Sequence, residues 1–331
     1  MPEPQLIDPY NRRLNYLRLS ITDRCNLQCA YCVPRELLPK LTHDEILTYE
    51  EILRIVQLVV ELGVTKIRVT GGEPLVRKGV YAFLARLTKI EGLEDVSLTT
   101  NGVLLKENLH RIKAAGIRRI NISLDTLKPE RYAQITGHDR LAQVWEAIRE
   151  AQSMGIHPIK LNVVALRGIN DDELIDLARL SLTYPLHVRF IEHMPLGDAR
   201  LRAQSPLLTA EIRKRIGSLG KLHPVQKEIL DGPAQRFAFK GARGEIGFIS
   251  AISHHFCEQC NRLRLTASGQ LRPCLLADHQ VDLKAPLRQG GTDAELAALI
   301  RQAALFKPHT HTISDCRASG KIAGQMSAIG G

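Results

Sequence analysis

The sequence predicts an α/β protein, built as a partial (β/α)6 barrel of TIM type with a C-terminal α+β extension. Three observations carry this prediction. Short aliphatic segments alternate with helical segments of about 12 residues, polar or glycine residues follow the aliphatic segments, and the alternation stops after about Gly197. No G-x-G-x-x-G follows the first predicted strand, which disfavours a dinucleotide-binding sheet. We therefore assign residues 1–200 to the barrel and 201–331 to the extension.

Six βα units are expected in order along the barrel. The predicted strands are 16–22, 64–70, 95–100, 118–124, 157–164 and 187–193. The predicted helices between them are 49–62, 81–90, 104–115, 141–154 and 171–182. In the first helix, Ile52, Ile55, Val56 and Val59 recur on one face, and Gly63 provides a stop. The extension is expected to hold a helix at 208–219 and short strands at 237–239 and 247–250, and to pack across an unfinished barrel.

Charge and cysteine content restrict the function. The chain has 331 residues and a net charge of +10, which suits either an ordinary basic soluble protein or one with an anionic partner, a nucleic acid or a polyphosphate ligand. The basic residues are dispersed rather than gathered into a block, which weakens the nucleic-acid interpretation. The polar N-terminus and the lack of a long apolar stretch predict a cytoplasmic protein with no membrane partner. Seven cysteines in that compartment argue against a disulfide framework.

The first cysteine group lies in the loop after the first predicted strand. Cys25, Cys29 and Cys32 form C-x-x-x-C-x-x-C, and strand-end loops converge on the catalytic face of a barrel. Three thiolates suit a [4Fe–4S] cluster whose fourth iron has no protein ligand. A structural zinc with a distant fourth ligand such as His43, or cysteines buried only for packing, are the alternatives.

This motif, with Tyr31 before the last cysteine, resembles the signature of the radical S-adenosylmethionine (SAM) superfamily. The resemblance implies a radical SAM barrel in which the open iron chelates SAM and an electron from the cluster releases a 5′-deoxyadenosyl radical. Gly71-Gly72-Glu73-Pro74, after the second predicted strand, resembles the SAM-binding motif of that superfamily. The SAM contacts that the resemblance implies are Tyr31, Gly72, Glu73, Ser123 and Met194.

The second cysteine group lies in the extension. Cys257, Cys260 and Cys274 supply three more thiolates, and His254, His255 or His279 could complete a zinc site. Spacing alone leaves zinc and iron–sulfur equally open. Auxiliary clusters are common in radical SAM enzymes, so the first site favours a second [4Fe–4S] cluster here.

Residues 256–266, the thirteen-residue gap before Cys274 and the terminal Gly330-Gly331 together resemble the GTP 3′,8-cyclase family of molybdenum-cofactor synthesis. The resemblance implies that GTP becomes 3′,8-cyclo-7,8-dihydro-GTP and that its purine binds the open iron of the second cluster. It also implies that Gly330 and Gly331 reach into the active site. Alternation along the strands adds Lys66 and Arg189, whose charges need a partner inside a barrel. The expected GTP contacts are Arg18, Lys66, Arg68, Thr99, Lys160, Arg189, Arg262 and Arg264.

The expected partners are GTP, an electron-supplying reductant, and the cyclic pyranopterin monophosphate synthase that would receive the product. A homodimer is one arrangement that the sequence leaves open. Two other functions compete: an RNA- or peptide-modifying radical SAM enzyme, and a non-enzymatic zinc or electron-transfer protein. The first would need an additional recognition domain, for which the chain has little spare length.

Overall fold

The computed structural model describes residues 5–32, 40–194, 205–226, 228, 231–310 and 329. Within them, twelve strands form one sheet in the order β12-β11-β10-β1-β2-β3-β4-β5-β6-β9-β8-β7. The first six strands are β1 Tyr16–Ser20, β2 Lys66–Thr70, β3 Asp95–Thr100, β4 Arg119–Ser123, β5 Ile159–Ala165 and β6 Leu186–Glu192. The other six are β7 Leu222–Pro224, β8 Gln235–Phe239, β9 Glu245–Ile249, β10 Arg262–Leu265, β11 Gln270–Arg272 and β12 Val281–Asp282. None of the described helices is long and apolar enough to span a lipid bilayer.

Nine α-helices are present in the same residues, with short 3-10 turns between some of them. They are α1 Tyr49–Glu61, α2 Val80–Leu87, α3 Leu109–Ala114, α4 Pro129–Thr136, α5 Leu141–Ser153, α6 Leu174–Thr183, α7 Thr209–Ile216, α8 Lys284–Arg288 and α9 Asp293–Leu305. Helix α1 begins at a capping box, in which Thr48 and Glu51 satisfy each other's backbone N–H groups. Its predicted apolar face, including Ile52 and Ile55, is fully buried against the sheet.

The predicted α/β partial barrel is confirmed, and the extension continues it. All pairs from β1 to β6 are parallel. The extension then adds one parallel strand at each edge, β10 beside β1 and β9 beside β6. Eight parallel strands result, and the antiparallel strands β11, β12, β8 and β7 extend the two edges. The division at residue 200 stays a prediction, since the sheet itself runs across it.

The two faces of the sheet differ in chemistry. The face toward the helices is apolar, with residues such as Leu17, Val69 and Leu98 fully buried. The inner face carries arginines, lysines, asparagines and threonines at the alternate positions of the same strands. Because the interior of an ordinary TIM barrel is filled by branched apolar side chains, this polar interior marks a binding cavity rather than a packed core.

Several predicted elements need correction. The helix expected at 104–115 is a 3-10 turn at Lys106–Asn108 followed by the shorter α3. Helix α4 was not predicted, and neither were α8, α9, β7, β10, β11 and β12. Strand β10 has the alternating sequence RLRL, which is typical of a strand. It lies next to the second cysteine group, and its parallel partner β1 is about 240 residues away in the chain. Local pattern carries no signal of such a pairing.

Candidate active site

One cavity inside the barrel is lined by both cysteine groups. The first group follows the C-terminal end of β1, whereas Cys257 and Cys260 precede β10, which runs parallel to β1, so the second group lies toward the opposite end of the strands. Sixteen of the residues predicted from the sequence line the cavity: Arg18, Cys25, Cys29, Tyr31, Cys32, Arg68, Gly72, Thr99, Ser123, Arg189, Met194, Cys257, Cys260, Arg262, Arg264 and Cys274. Glu73, Lys66 and Lys160 are not among the lining residues. Gly330 and Gly331 lie outside the described residues.

The GGEP loop packs directly on the start of the first cysteine loop. Gly72 N donates to Thr22 O at 2.7 Å, and Glu73 N donates to Arg24 O at 2.8 Å. A Cβ atom on Gly72 would lie 2.3 Å from Arg24 O, and one on Gly71 would lie 2.6 Å from Thr22 O. The two glycines are therefore required for close backbone contact with the segment that leads into Cys25.

Glu73 serves the fold of this loop. Its side chain is fully buried, and its carboxylate accepts from Leu75 N at 3.0 Å, from Thr100 Oγ1 at 2.9 Å and from Asn101 N at 2.7 Å. Burial raises the pKa of Glu73 to about 7, although these hydrogen bonds oppose the shift. The carboxylate already accepts hydrogen bonds from the protein, and Glu73 is not among the lining residues of the cavity. Its contact with SAM stays a prediction.

The three cysteines of the first group are half-buried. Burial raises the pKa of the Cys25 thiol, and it raises the pKa of Cys29 further, with help from the neighbouring Cys32. Tyr31 donates from its hydroxyl to Asp125 Oδ2 at 2.7 Å, which fixes the ring against the cavity. Burial also raises the pKa of Asp125 to about 6. These thiols must lose their protons to ligate iron, so assembly of a cluster here would release protons.

The second cysteine group has the opposite electrostatic setting. Cys257 starts a 3-10 turn that ends at Gln259, Cys260 follows that turn directly, and Cys274 lies two residues beyond the end of β11. Burial would raise the pKa of Cys260, but Arg262 and Lys307 lower it to about 6. This thiol is therefore prepared to lose its proton and bind metal.

Among the described residues, neither cysteine group forms a ready four-ligand zinc site. No three His, Cys, Asp or Glu side chains among them lie close enough together to hold one metal ion. A tetrahedral zinc with bonds of about 2.3 Å would draw its ligands to within ~4 Å of each other. The candidate zinc ligands are also engaged elsewhere: His254 contacts Ser253, His255 contacts Ala251 O, and the rings of His279 and Phe306 lie 3.7 Å apart.

Buried cations line the inner face of the strands, between the first cysteine group and the second. Six of the predicted GTP contacts are buried on this face: Arg18, Lys66, Arg68, Lys160, Arg189 and Arg264. Strand register sets Arg264, Arg18 and Arg68 side by side on β10, β1 and β2. Because like charges held close together repel each other, an anionic ligand in the cavity would relieve the repulsion within this row of cations.

The pKa values of these groups reflect that cost. Burial lowers the pKa of Arg18 to about 10 and that of Arg189 to about 9, with neighbouring arginines adding to the shift. For Lys160, burial and then the charges of Arg189, Arg119 and Arg68 lower the pKa to about 6. Burial also lowers the pKa of Lys66, although the Asp95 carboxylate, 3.3 Å from its ammonium, opposes the shift.

The structure adds cavity residues that the sequence did not single out. Asn162 lines the cavity between Ser123 and Arg189 in the strand register. Its Oδ1, like Thr99 Oγ1, is buried without a hydrogen-bond partner in the described part of the chain, so both atoms are available to a ligand. The alternation Lys160, Asn162, Val164 along β5 was the available signal.

Glu192 was also missed. It is fully buried at the end of β6 and lines the cavity. Its carboxylate accepts from Thr209 N at 2.7 Å, from Ile252 N at 2.7 Å and from Ser253 N at 2.8 Å. Glu192 therefore ties the barrel to the turn that precedes Cys257.

Comparison with known proteins agrees with this geometry. A family model of the Radical SAM superfamily matches residues 19–181, and one described as Molybdenum Cofactor Synthesis C matches residues 186–313. The GTP 3′,8-cyclase of Pelotomaculum thermopropionicum is 49% identical over 98% of this chain and 99% of its own length. That of Moorella thermoacetica is 47% identical over 98% of this chain and 99% of its own length.

Among solved structures, Streptococcus suis SuiB bound to S-adenosylmethionine superposes with a TM-score of 0.59 at 14% identity. The match covers 81% of this chain and 62% of SuiB, and at that identity it shows a shared fold. A parallel partial barrel with a three-cysteine loop after its first strand, on a sequence that fits the superfamily model, defines a radical SAM enzyme. S-adenosylmethionine and [4Fe–4S] clusters are accordingly its cofactors. The chain belongs to the GTP 3′,8-cyclase family.

Proposed function

We propose that this chain converts GTP to 3′,8-cyclo-7,8-dihydro-GTP, the first step of molybdenum-cofactor biosynthesis. The reaction removes the hydrogen atom at ribose C3′ and joins C3′ to C8 of guanine. One observation carries the proposal: the cavity has a three-cysteine loop on each side and buried cations on the strands between them. A nucleoside triphosphate matches that distribution, because its phosphates require cations and its base and ribose do not.

At the first site, Cys25, Cys29 and Cys32 would hold a [4Fe–4S] cluster, and Tyr31, Gly72, Ser123 and Met194 line the space beside it. Bound there, SAM and the cluster supply a 5′-deoxyadenosyl radical. The protein contributes an enclosed cavity that positions the ribose and keeps water away from the reacting carbon.

At the second site, Cys257, Cys260 and Cys274 would hold the other cluster, with its open iron toward the purine. Arg262 and Arg264 extend from there along β10 into the row of buried cations. Guanidinium groups bind phosphate oxygens with two parallel hydrogen bonds, so this row suits a triphosphate. Bound GTP would bring the negative charge of its phosphates to this row of cations.

The finer features of the enzyme's setting stay predictions. A cytoplasmic location is supported by six cysteines in two cluster-type groups rather than in disulfides. A separate reductant and transfer of the product to the cyclic pyranopterin monophosphate synthase rest on the sequence resemblance alone, and a homodimer is an arrangement that the sequence leaves open.

The test is anaerobic reconstitution of the full chain, followed by SAM, a reductant and GTP. The proposal predicts about eight irons per chain and 5′-deoxyadenosine formed in proportion to a cyclised GTP product. ATP in place of GTP is the control, and it should give no cyclised product. About four irons, or no GTP-dependent 5′-deoxyadenosine, would refute the proposal.

A further inference from the structure

Lys307, just beyond the end of α9, connects two of the segments that carry the second cysteine group. Its side chain is 3% exposed, and its Nζ donates to Arg262 O at 2.8 Å and to Pro273 O at 2.7 Å. Arg262 lies two residues after Cys260, and Pro273 immediately precedes Cys274. One ammonium group therefore fixes the distance between these two cysteine-bearing segments.

Arg12 connects the third segment to the same place. Its guanidinium donates to Cys257 O at 2.6 Å, to Pro308 O at 2.7 Å and to His309 O at 3.0 Å. Asp8 holds the other edge of that guanidinium, with Asp8 Oδ2 2.5 Å from Nε. Cys257 is thereby linked to the residues that directly follow Lys307 in the chain.

The charge of Lys307 also bears on the sulfur atoms. Burying an ammonium is costly unless its three donors find acceptors, and the two carbonyls satisfy two of them. The ammonium also faces the thiols of Cys260 and Cys274. Hydrogen bonds and positive charge near ligating sulfurs favour the reduced state of an iron–sulfur cluster.

We propose that Lys307 is a positioning residue for the second iron–sulfur cluster. Lys307 holds the Cys260 and Cys274 segments at the spacing that the cluster requires, and its charge raises the reduction potential of the cluster. Arg12 holds the Cys257 segment in the same arrangement. This inference rests on the second cluster of the proposed function, but it is measured without GTP turnover.

The experiment compares the reconstituted wild-type chain with Lys307→Met, Lys307→Arg, Arg12→Met and a control, Arg301→Met, which removes an exposed charge from α9. Iron is counted per chain, and each cluster's potential is followed by electron paramagnetic resonance during a redox titration without GTP. Lys307→Met should either lose about half of the iron or keep it with a more negative potential at the second cluster only. Lys307→Arg should recover much of the wild-type behaviour, Arg12→Met should lose iron from the second site, and Arg301→Met should match the wild type.

Unchanged iron and unchanged potential in Lys307→Met would overturn the inference. Equal loss of both clusters would overturn it as well, because Lys307 would then support the fold as a whole. A wild-type chain with only about four irons would refute the second cluster of the proposed function, and this inference with it. Eight irons in the wild type and no effect of the variants would refute the inference alone.

Discussion

Binding of GTP should draw a proton onto Lys160. Burial and the charges of three neighbouring arginines lower the pKa of Lys160 from its ordinary value of 10.5 to about 6, so at pH 7.5 this amine is mostly neutral in the protein without GTP. A bound triphosphate would favour the ammonium and raise its pKa again. We therefore expect Lys160 to take up close to one proton per GTP at pH 7.5.

The lowered pKa of Lys160 also reduces the free energy of unfolding of the protein without GTP. The unfolded chain binds more protons than the folded one between pH 6 and pH 10.5, so this group makes the free energy of unfolding rise with pH across that window. At about 1.4 kcal/mol per pKa unit, the cost at pH 7.5 is roughly 4 kcal/mol. Lys160→Met removes this cost, so without GTP the free energy of unfolding of the variant should be about 1–4 kcal/mol higher than that of the wild type. The variant should nevertheless bind GTP more weakly.

Isothermal titration calorimetry of GTP in buffers of different ionisation enthalpy measures the proton count directly. The wild type should take up a proton at pH 7.5 and much less at pH 5, where Lys160 is already charged. Lys160→Met should lose the uptake, and Lys89→Met, which alters an exposed lysine, should keep it. Proton-neutral binding by the wild type, or the same uptake in Lys160→Met, would refute the reasoning.

Two further predictions concern the GGEP loop. Gly72→Ala would place a Cβ atom 2.3 Å from Arg24 O, so this variant should displace the first cysteine loop and abolish SAM cleavage. Iron analysis should find the first cluster depleted and the second retained. Full SAM cleavage by the variant would contradict this prediction. Glu73→Gln should lower the free energy of unfolding by about 1–3 kcal/mol. Each carboxylate oxygen of Glu73 accepts a hydrogen bond from a backbone N–H, so the amide NH2 of Gln would face one of these N–H groups, donor against donor. Chemical denaturation of the metal-free chain measures that effect, and Glu107→Gln, a change on the 3-10 turn at the surface, is the control.

Local spacing was enough to predict both cysteine groups and the core of the barrel. Cys25, Cys29 and Cys32 lie within eight residues of each other, and the helical face of α1 repeats every three or four residues, so neither depends on distant parts of the chain. The buried arginines were also within reach, because alternation along a strand assigns each residue to one face. Their common orientation into the cavity is what the structure adds.

The features that the sequence did not predict depend on contacts between residues far apart in the chain. Strand β10 pairs with β1, and Arg12 reaches Cys257 across 245 positions, so no local pattern could reveal either. Glu73 shows a second limit. A carboxylate in a glycine-rich turn suggests a ligand contact, but its burial and three protein donors become visible only once the neighbouring strand end is in place.

The central claim is that two separate clusters face one nucleotide, and Cys257→Ser tests it most directly. After anaerobic reconstitution with SAM and a reductant, this variant should keep the first cluster and its slow SAM cleavage, because Cys25, Cys29 and Cys32 are untouched. It should form no cyclised product from GTP. The parallel variant Cys29→Ser should lose SAM cleavage altogether. Undiminished cyclisation of GTP by Cys257→Ser would contradict the account, because the second cysteine group would then have no part in holding the substrate.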